Sequence, residues 1–477
     1  MPKNLFRFTI GLMVFQMLFW TLVPMLAHHA PPLDATEMYS WSLSFQWGFY
    51  KHPPMPAWIV SIVQLLVGRN MLSLFLCASM AISASYYCVA WLANRFLSEK
   101  EAIVAVFLYA LTIYCNLWST DFNHNQIQMP FWALSLVCLV LCLDKGSKKW
   151  ALILGVVMGL NALSKYTAAF IMPSAIVLLM MSPHWRKNFN MTQLCIASIA
   201  FLVIFSPHLY WLTQNDFMPF RYVNERFDEM KNTNHLLDLA NYIGNILLAH
   251  LCLVLVSLFL MRKKIIESKM TKSDQIFIWI LGLGPVLTTI ILGLFVPLYH
   301  RWVIPMLPMI TIVFAMLLKG RFVYLYNKKA FTLFVVLQIL LGLAYIYKDK
   351  INPNQSARGN YPAPELARAI YSQWHALYPD QAFKIVSGGE WEAGVISLFS
   401  PDKTYVYTQA DSVITPWVSV KNANDCGMVM LNPSASDLER FPLAEIQAPI
   451  EVKSLMSNTV LAINYAINPP QGKCLLK

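Results

Sequence analysis

The sequence predicts a multi-pass α-helical membrane protein of about eleven transmembrane helices with a small C-terminal soluble α/β domain. Three observations predict it. Hydrophobic residues make up 57% of the 477 and charged residues only 13%, far from the balance of a soluble domain. The apolar residues gather into runs of roughly bilayer length, and the loops between them are rich in lysine and arginine. That texture stops near residue 350, where short strands and amphipathic helices take over. A net charge of +11 on a soluble chain would suggest nucleic acid. Here the cations sit in loops between apolar runs, so the partner expected is a membrane and not a nucleic acid.

Taken in order, the first apolar run (about 6–27) follows a short basic flank of Lys3 and Arg7. The run is long, and no clear small-x-small cleavage site precedes His28. An uncleaved first span is therefore expected rather than a signal peptide. Further spans are expected at about 70–94, 101–118, 126–143, 150–163, 166–182, 192–212, 240–261, 275–296, 299–318 and 328–347. The run 56–67 is too short and too close to prolines to cross; it reads as re-entrant or interfacial.

With the N-terminus inside, the inner loops carry most of the cations, such as Arg95, Lys100, Lys145, Lys148, Lys149, Arg262, Lys263, Lys264, Lys269 and Lys272. The outer loops carry Lys51, Lys165, Arg221, Arg226, Lys231 and Arg301. This arrangement puts the C-terminal part outside. The expected domains are therefore 1–349, a transmembrane catalytic unit with external loops 28–58, 119–125 and 213–239, and 350–477, an external α/β unit. In the latter, FKIVSG, KTYVYTQ and GMVML read as strands, and ELARAIYSQWHALY and EWEAGVISLF as helices. The Gly388-Gly389 turn lacks a full dinucleotide pattern, so nucleotide binding is not expected. Seven of the nine cysteines lie in apolar segments and read as packing residues. Cys426 and Cys474 lie in the polar part and can pair if that part meets an oxidising compartment.

The stretch His28–Trp58 spends acids, bases and aromatics where a short connector would do. Asp34 and Glu37 are three apart and share a face on a helix. Either could be a general base toward a hydroxyl, or Asp34 could cap a helix running to Gly48. Lys51 and His52 stand on a proline-stiffened turn suited to an anionic phosphate, although a lysine here could also snorkel to headgroups. Trp41, Trp47, Tyr50 and Trp58 could stack on a sugar or form an interfacial belt. In the loop Asp121-Phe122-Asn123-His124-Asn125, Asp121 and His124 could join Asp34 around a divalent cation. Lys165, at the junction of two short spans, needs an anionic partner and suits a phosphate. Arg301 adds an external cation beside an apolar run. Residues 207–227 form an amphipathic external segment, with Arg221 and Arg226, expected to lie on the membrane.

Four motifs resemble bacterial family-39 glycosyltransferases of the membrane C-type superfamily. They are Asp34-x-x-Glu37 with WGFYKHPPMPAW (47–58), FNHNQIQMPFWAL (122–134), GLNALSKYTA (159–168) and SPHLYWLTQNDFMPFRY (206–222). The group includes protein mannosyltransferases, the lipid A aminoarabinose transferase and lipopolysaccharide-core galacturonosyltransferases. The C-terminal GGEWEAGVISLFSPDKTYVY resembles the tail of one branch. The resemblance implies a C-type fold in a bacterial inner membrane, with its pocket on the periplasmic face. It implies inverting transfer of a sugar from a polyprenyl-phosphate donor to an envelope hydroxyl, on lipid A, lipopolysaccharide core, another glycan or a protein. It places the base at Asp34. Many relatives have an adjacent Asp-Glu there, whereas this chain has Asp34-Ala35, so Glu37 either replaces the second acid or supports the loop. The phosphate role falls on Lys51, His52 and Lys165, with Arg301 near; Tyr50, Asn123, Tyr166 and Arg221 are further loop candidates. A divalent metal ion is the one cofactor considered. In the C-terminal domain, Trp391, Glu392 and Trp417 are candidates for capping the pocket or selecting the acceptor. The rival readings are a transporter of lipid-linked sugars and a non-catalytic scaffold; the concentration of polar groups outside the spans speaks against the first.

Overall fold

The computed structural model describes residues 1–229, 235–266, 270–296, 298–351, 358–453 and 460–476. Lys231, Lys269 and residues 230–234 of the loop 213–239 lie outside the described residues. The chain opens with α1 (Lys3–Ala27), α2 (Leu33–Ser42), α3 (Met55–Val67), α4 (Met71–Phe96) and α5 (Glu99–Ala110). It continues with α6 (His124–Lys145), α7 (Lys148–Ser164), α8 (Ile171–Met181), the single turn α9 (Pro183–Arg186), α10 (Met191–Gln214) and α11 (Met218–Glu229). Then come α12 (His235–Ala249), α13 (Leu251–Met261), α14 (Lys272–Leu292), α15 (Ile310–Leu317) and α16 (Lys328–Ile351).

Among the described residues, six helices are long and apolar enough to cross a membrane: α1, α4, α6, α10, α14 and α16. The pair α12–α13, bent by 65°, makes a seventh crossing if taken as one span. The remaining four of the eleven expected spans are short or broken, for local reasons. After Ala110 the chain leaves α5 for a 3₁₀ turn at Ile113–Cys115. Its freed carbonyls find side-chain donors: Gln338 Nε2 to Ala110 O at 2.9 Å, Asn116 Nδ2 to Thr112 O at 2.8 Å and Gln16 Nε2 to Cys115 O at 3.0 Å. In 299–318, Pro305 and Pro308 leave only a 3₁₀ turn (His300–Met306) ahead of the eight residues of α15. The expected spans 150–163 and 166–182 become α7 and a 3₁₀ turn (Tyr166–Phe170) leading into α8, with Lys165 at the joint. Most of 207–227 is not one surface segment: α10 runs through Gln214, and only α11 is a separate amphipathic helix.

Small residues let the inner helices close. A Cβ on Gly155 of α7 would stand 2.2 Å from the Ala197 carbonyl of α10, so only glycine permits that approach. Five of the apolar-segment cysteines are buried, while Cys195 faces outward.

Beyond residue 358 lie α17 (Ala363–Leu377), β1 (Ile385–Gly388), α18 (Glu390–Phe399), β2 (Tyr405–Thr408), α19 (Val420–Cys426), β3 (Met428–Leu431) and α20 (Ala435–Arg440). They are followed by β4 (Glu445–Ile446), β5 (Ile450–Lys453), β6 (Val460–Ile463) and β7 (Tyr465–Asn468). The sheet order is β2-β1-β3-β7-β4, with β1 parallel to β2 and β3, and β7 antiparallel to β3; β5 and β6 form a separate hairpin. The three strands expected from sequence form its parallel part. Cys426 and Cys474 are joined in a disulfide.

This domain sits on the loop segment between α1 and α3. A Cβ on Gly394 of α18 would lie 2.4 Å from Thr36 Cγ2, so glycine sets the contact between α18 and α2. Trp391 Nε1 donates to Pro31 O at 2.9 Å, and Tyr39 Oη lies 3.1 Å from Ser397 Oγ. The buried core runs continuously from α2, α3 and α4 into β1, β2 and β3.

Candidate functional site

Pro31 and Pro32 start α2, and no side chain of its own caps it. Asp34 is the second helical residue, so the cap expected of it is absent, and α2 ends at Ser42 rather than near Gly48. The capping comes from another loop. Asp121 Oδ1 accepts the Ala35 N–H at 3.0 Å. The Asp34 carboxylate takes no part in this capping, and its Oδ2 accepts from Asn123 Nδ2 at 2.8 Å. Asn123 is fixed because it caps α6 in a capping box with Gln126.

The next residue in the relay is Asn125, whose Oδ1 accepts from Lys165 Nζ at 2.7 Å. Lys165 is only 7% exposed, and its ammonium lies 5.6 Å from the centre of the Trp302 ring. Burial pushes its pKa down to about 7, opposed in part by the Asp34 carboxylate. Gln128 holds the joint by donating to Lys165 O at 3.0 Å and to Asn161 Oδ1 at 3.1 Å. Arg301 stands over the Trp118 ring, 5.9 Å away, close enough for its charge to act on Asp121. Burial first, and then the Asp34 charge, raise the pKa of Asp121; Arg301 and the α2 N–H groups offset this only in part. Two carboxyl groups thus meet, and Asp121 is biased toward its neutral form.

His52 and His124 face each other with ring centres 3.9 Å apart, and His124 also packs edge-on to Trp41. Burial, then the charges of Lys165 and Lys51, hold His52 well below its ordinary pKa, so it is neutral at pH 7. His124 Nε2 is buried and unbonded. The sequence grouped Asp121 and His124 with Asp34 as a cation site. Among the described residues, no three histidine, cysteine or acidic side chains converge to hold a metal, and Asp121 Oδ1 is occupied by the α2 backbone.

Glu37 and Lys51 are not with Asp34. Lys51 Nζ is hydrogen-bonded to Glu37 Oε1, and it donates to Glu390 Oε2 at 2.8 Å. Tyr50 Oη donates to the same Glu390 oxygen at 3.2 Å. Burial and the Glu390 charge raise the Glu37 pKa well above the carboxylate range, and Lys51 only partly opposes them. Tyr166 Oη lies 2.9 Å from His208 Nε2, and His208 Nδ1 lies 2.6 Å from Trp47 O, which anchors the loop after α2 to α10. Arg221 is exposed on α11. Trp417 packs edge-on to Phe49. Sequence reasoning missed His208, which lies within a quoted motif, and Glu390, which directly precedes two residues it singled out.

The family described as dolichyl-phosphate-mannose-protein mannosyltransferase matches residues 51–211, from Lys51 to Trp211 within α10, leaving Asp34 and Glu37 outside. The fold is matched by the crystal structure of ArnT from Cupriavidus metallidurans bound to undecaprenyl phosphate. The TM-score is 0.64 at 11% identity, covering 96% of this chain and 98% of that one. This chain has the same C-type fold as ArnT. Two curated relatives from Rhizobium johnstonii also match: the lipid A galacturonosyltransferase RgtD and the lipopolysaccharide core galacturonosyltransferase RgtA. Each is 26% identical over 39% of this chain. The match spans only 39% and 38% of their own lengths. The family-39 resemblance read from the motifs therefore holds, and the chain is a multi-pass membrane protein.

Proposed function

We propose that this chain is an inverting glycosyltransferase. It moves a sugar from a polyprenyl-phosphate donor to a hydroxyl of an envelope glycolipid, at the periplasmic face of a bacterial inner membrane. One observation carries the reading: in a C-type fold, the Asp34 carboxylate, held by Asn123, lies within electrostatic reach of the buried Lys165 ammonium and of Asp121, which the Arg301 guanidinium also reaches. In this reading the base and the cations stand on opposite sides of the reacting centre.

In this reading Asp34 takes the proton of the acceptor hydroxyl. The hydroxyl oxygen forms the new bond at the anomeric carbon from the face opposite the phosphate, which inverts that centre. The bond from carbon to phosphate oxygen breaks, and polyprenyl phosphate leaves with the electron pair. Lys165 and Arg301 meet its growing charge, so no strong general acid is required. Asn123 orients Asp34, while Asp121 fixes the start of α2. Tyr166, His208 and Trp47 brace the wall beside Lys165, and Arg221 stands at the rim where lipid-linked substrates enter. No step in this reading is routed through a metal.

Lipid A or lipopolysaccharide core is the acceptor class favoured here, because the curated relatives are named for it. A protein hydroxyl is the second reading, favoured by the description of the matching family. The test is purified full-length protein in nanodiscs with undecaprenyl-phosphate-linked uronic acid or hexose, and lipid A, core glycolipid or a secreted protein as acceptor. The expected result is an acceptor heavier by one sugar, with stoichiometric release of undecaprenyl phosphate. A gain on protein alone would favour the second reading; no gain on any acceptor would contradict the proposal.

A further inference from the structure

The loop between α2 and α3 ends in a tight turn. Phe49 N donates to His52 O at 3.0 Å, and His52 N donates to Phe49 O at 3.2 Å. That reciprocal pair leaves Tyr50 and Lys51 alone at the tip. Both tip side chains donate to one atom, Glu390 Oε2, at 3.2 and 2.8 Å. Glu390 is the first residue of α18, and α18 packs on α2. Its other oxygen, Oε1, is buried and unbonded. The Lys51 ammonium lies 4.8 Å from the Tyr50 ring centre and 5.7 Å from that of Tyr222 on α11. Lys51 therefore has carboxylates on two sides and aromatic faces on two others. A flexible four-carbon stem held this way has lost its freedom to search for another anion. Of these two carboxyl groups the transmembrane part supplies Glu37, and the C-terminal domain supplies Glu390.

The residue after the tip is His52, whose ring meets His124 at 3.9 Å, on the same side as Lys165. The base of the loop is already fixed, since a Cβ on Gly48 would lie 2.3 Å from the Trp211 ring and Trp47 O is held by His208. The tip is the remaining degree of freedom, and Glu390 removes it.

We propose that Glu390 is a positioning residue: from the C-terminal domain it fixes Lys51 and Tyr50, and through them the turn carrying His52, so that this turn is held beside His124 and Lys165 only with that domain docked. This rests on the reading above for its functional meaning, but its structural core is testable without any substrate.

The experiment measures acylation of Lys51 by a water-soluble amine-reactive ester on full-length protein in nanodiscs, read by peptide mass spectrometry. Lys403 of the C-terminal domain serves as internal reference. In the unmodified protein Lys51 should react far more slowly than Lys403. Glu390→Gln keeps the shape but removes the charge, and should raise Lys51 labelling by about fivefold or more relative to the reference. Trp391→Phe removes the docking bond to Pro31 O but leaves Glu390, and should keep Lys51 protected. Equal deprotection in both variants would mean that Lys51 is merely covered by the docked domain, and would overturn the proposal. So would unchanged labelling in Glu390→Gln. In cells, Glu390→Gln at normal protein level should lower the glycolipid product severalfold, and Glu390→Asp should recover part of it. Loss of product equal in Asp and Gln variants, with labelling unchanged, would again count against positioning. If labelling responds as expected but the unmodified protein transfers no sugar, positioning stands and the glycosyltransferase reading fails.

Discussion

Two clusters of charge meet α2, one at Asp34 and one at Glu37, and they differ in kind. Around Lys51 the charges are consumed: one ammonium is shared by Glu37 and Glu390. Around Asp34 they are left available. Asp34 has one amide donor, Lys165 one amide acceptor, and Arg301 an aromatic face. A closed cluster fixes geometry, because breaking it strands a buried charge. An open cluster can meet charge that appears during a reaction. The difference teaches that residues adjacent in a motif need not share a task. Asp34 and Glu37 are three apart on one helix, yet they point to different partners.

The comparison is broken most severely at Asp34. Asp34→Asn should cut sugar transfer by about 1000-fold, measured as product per unit of inserted protein, since it removes a general base. Transfer near that of the unmodified protein would assign the base elsewhere.

Lys165→Ala should lower donor kcat/KM by about 100-fold, as for removal of one preorganised charge partner. Its pH dependence sharpens the point. A lysine whose pKa is lowered to about 7 loses its proton as pH rises through that value. Donor kcat/KM should therefore fall roughly tenfold between pH 6 and 8. Lys165→Arg, charged throughout, should flatten that fall. A profile unchanged in Lys165→Arg would show that another group titrates.

Asp121→Asn should cost less, about tenfold or below, because Asp121 is already biased toward its neutral form and an amide oxygen can still accept from α2. A loss as deep as that of Asp34→Asn would make Asp121 a participant in proton transfer. Least affected should be catalysis in Cys426→Ser. Opening a bridge with a sequence separation of 48 should destabilise the C-terminal domain by about 4 kcal/mol on the chain-entropy account, read as a lower melting temperature. Transfer at low temperature should stay within about twofold.

Much of this was legible in the chain. Apolar runs marked the helices because lipid demands internally bonded backbone over bilayer length. Alternating lysine and arginine marked the loops. The strands of the parallel sheet showed because both of its faces are covered, giving continuous apolar runs at Ile385, Tyr405 and Met428. What hid the broken spans was composition: Ile113 and Val303 read as apolar whatever their backbone does, and the capping of Ala110 O by Gln338 comes from 228 residues away. The site was half legible for the same reason. Asp34, Lys165 and Arg301 stood out as polar groups beside apolar runs. The Glu390 contact could not be read, because it joins positions 339 apart and leaves no local period. For Asp121 the chemistry was visible and the partner was not: a loop aspartate looks like a ligand until the α2 N–H groups claim it.

The central claim is that reactivity lies in the open cluster and architecture in the closed one. The most direct measurement compares envelope glycolipids, by mass spectrometry, from cells carrying Asp34→Asn and cells carrying Glu37→Gln at equal protein levels. Glu37 is already held toward its neutral form, so Glu37→Gln should retain product within about tenfold. Asp34→Asn should lose one sugar mass from the glycolipid altogether. Retention of that sugar in Asp34→Asn with its loss in Glu37→Gln would contradict the account.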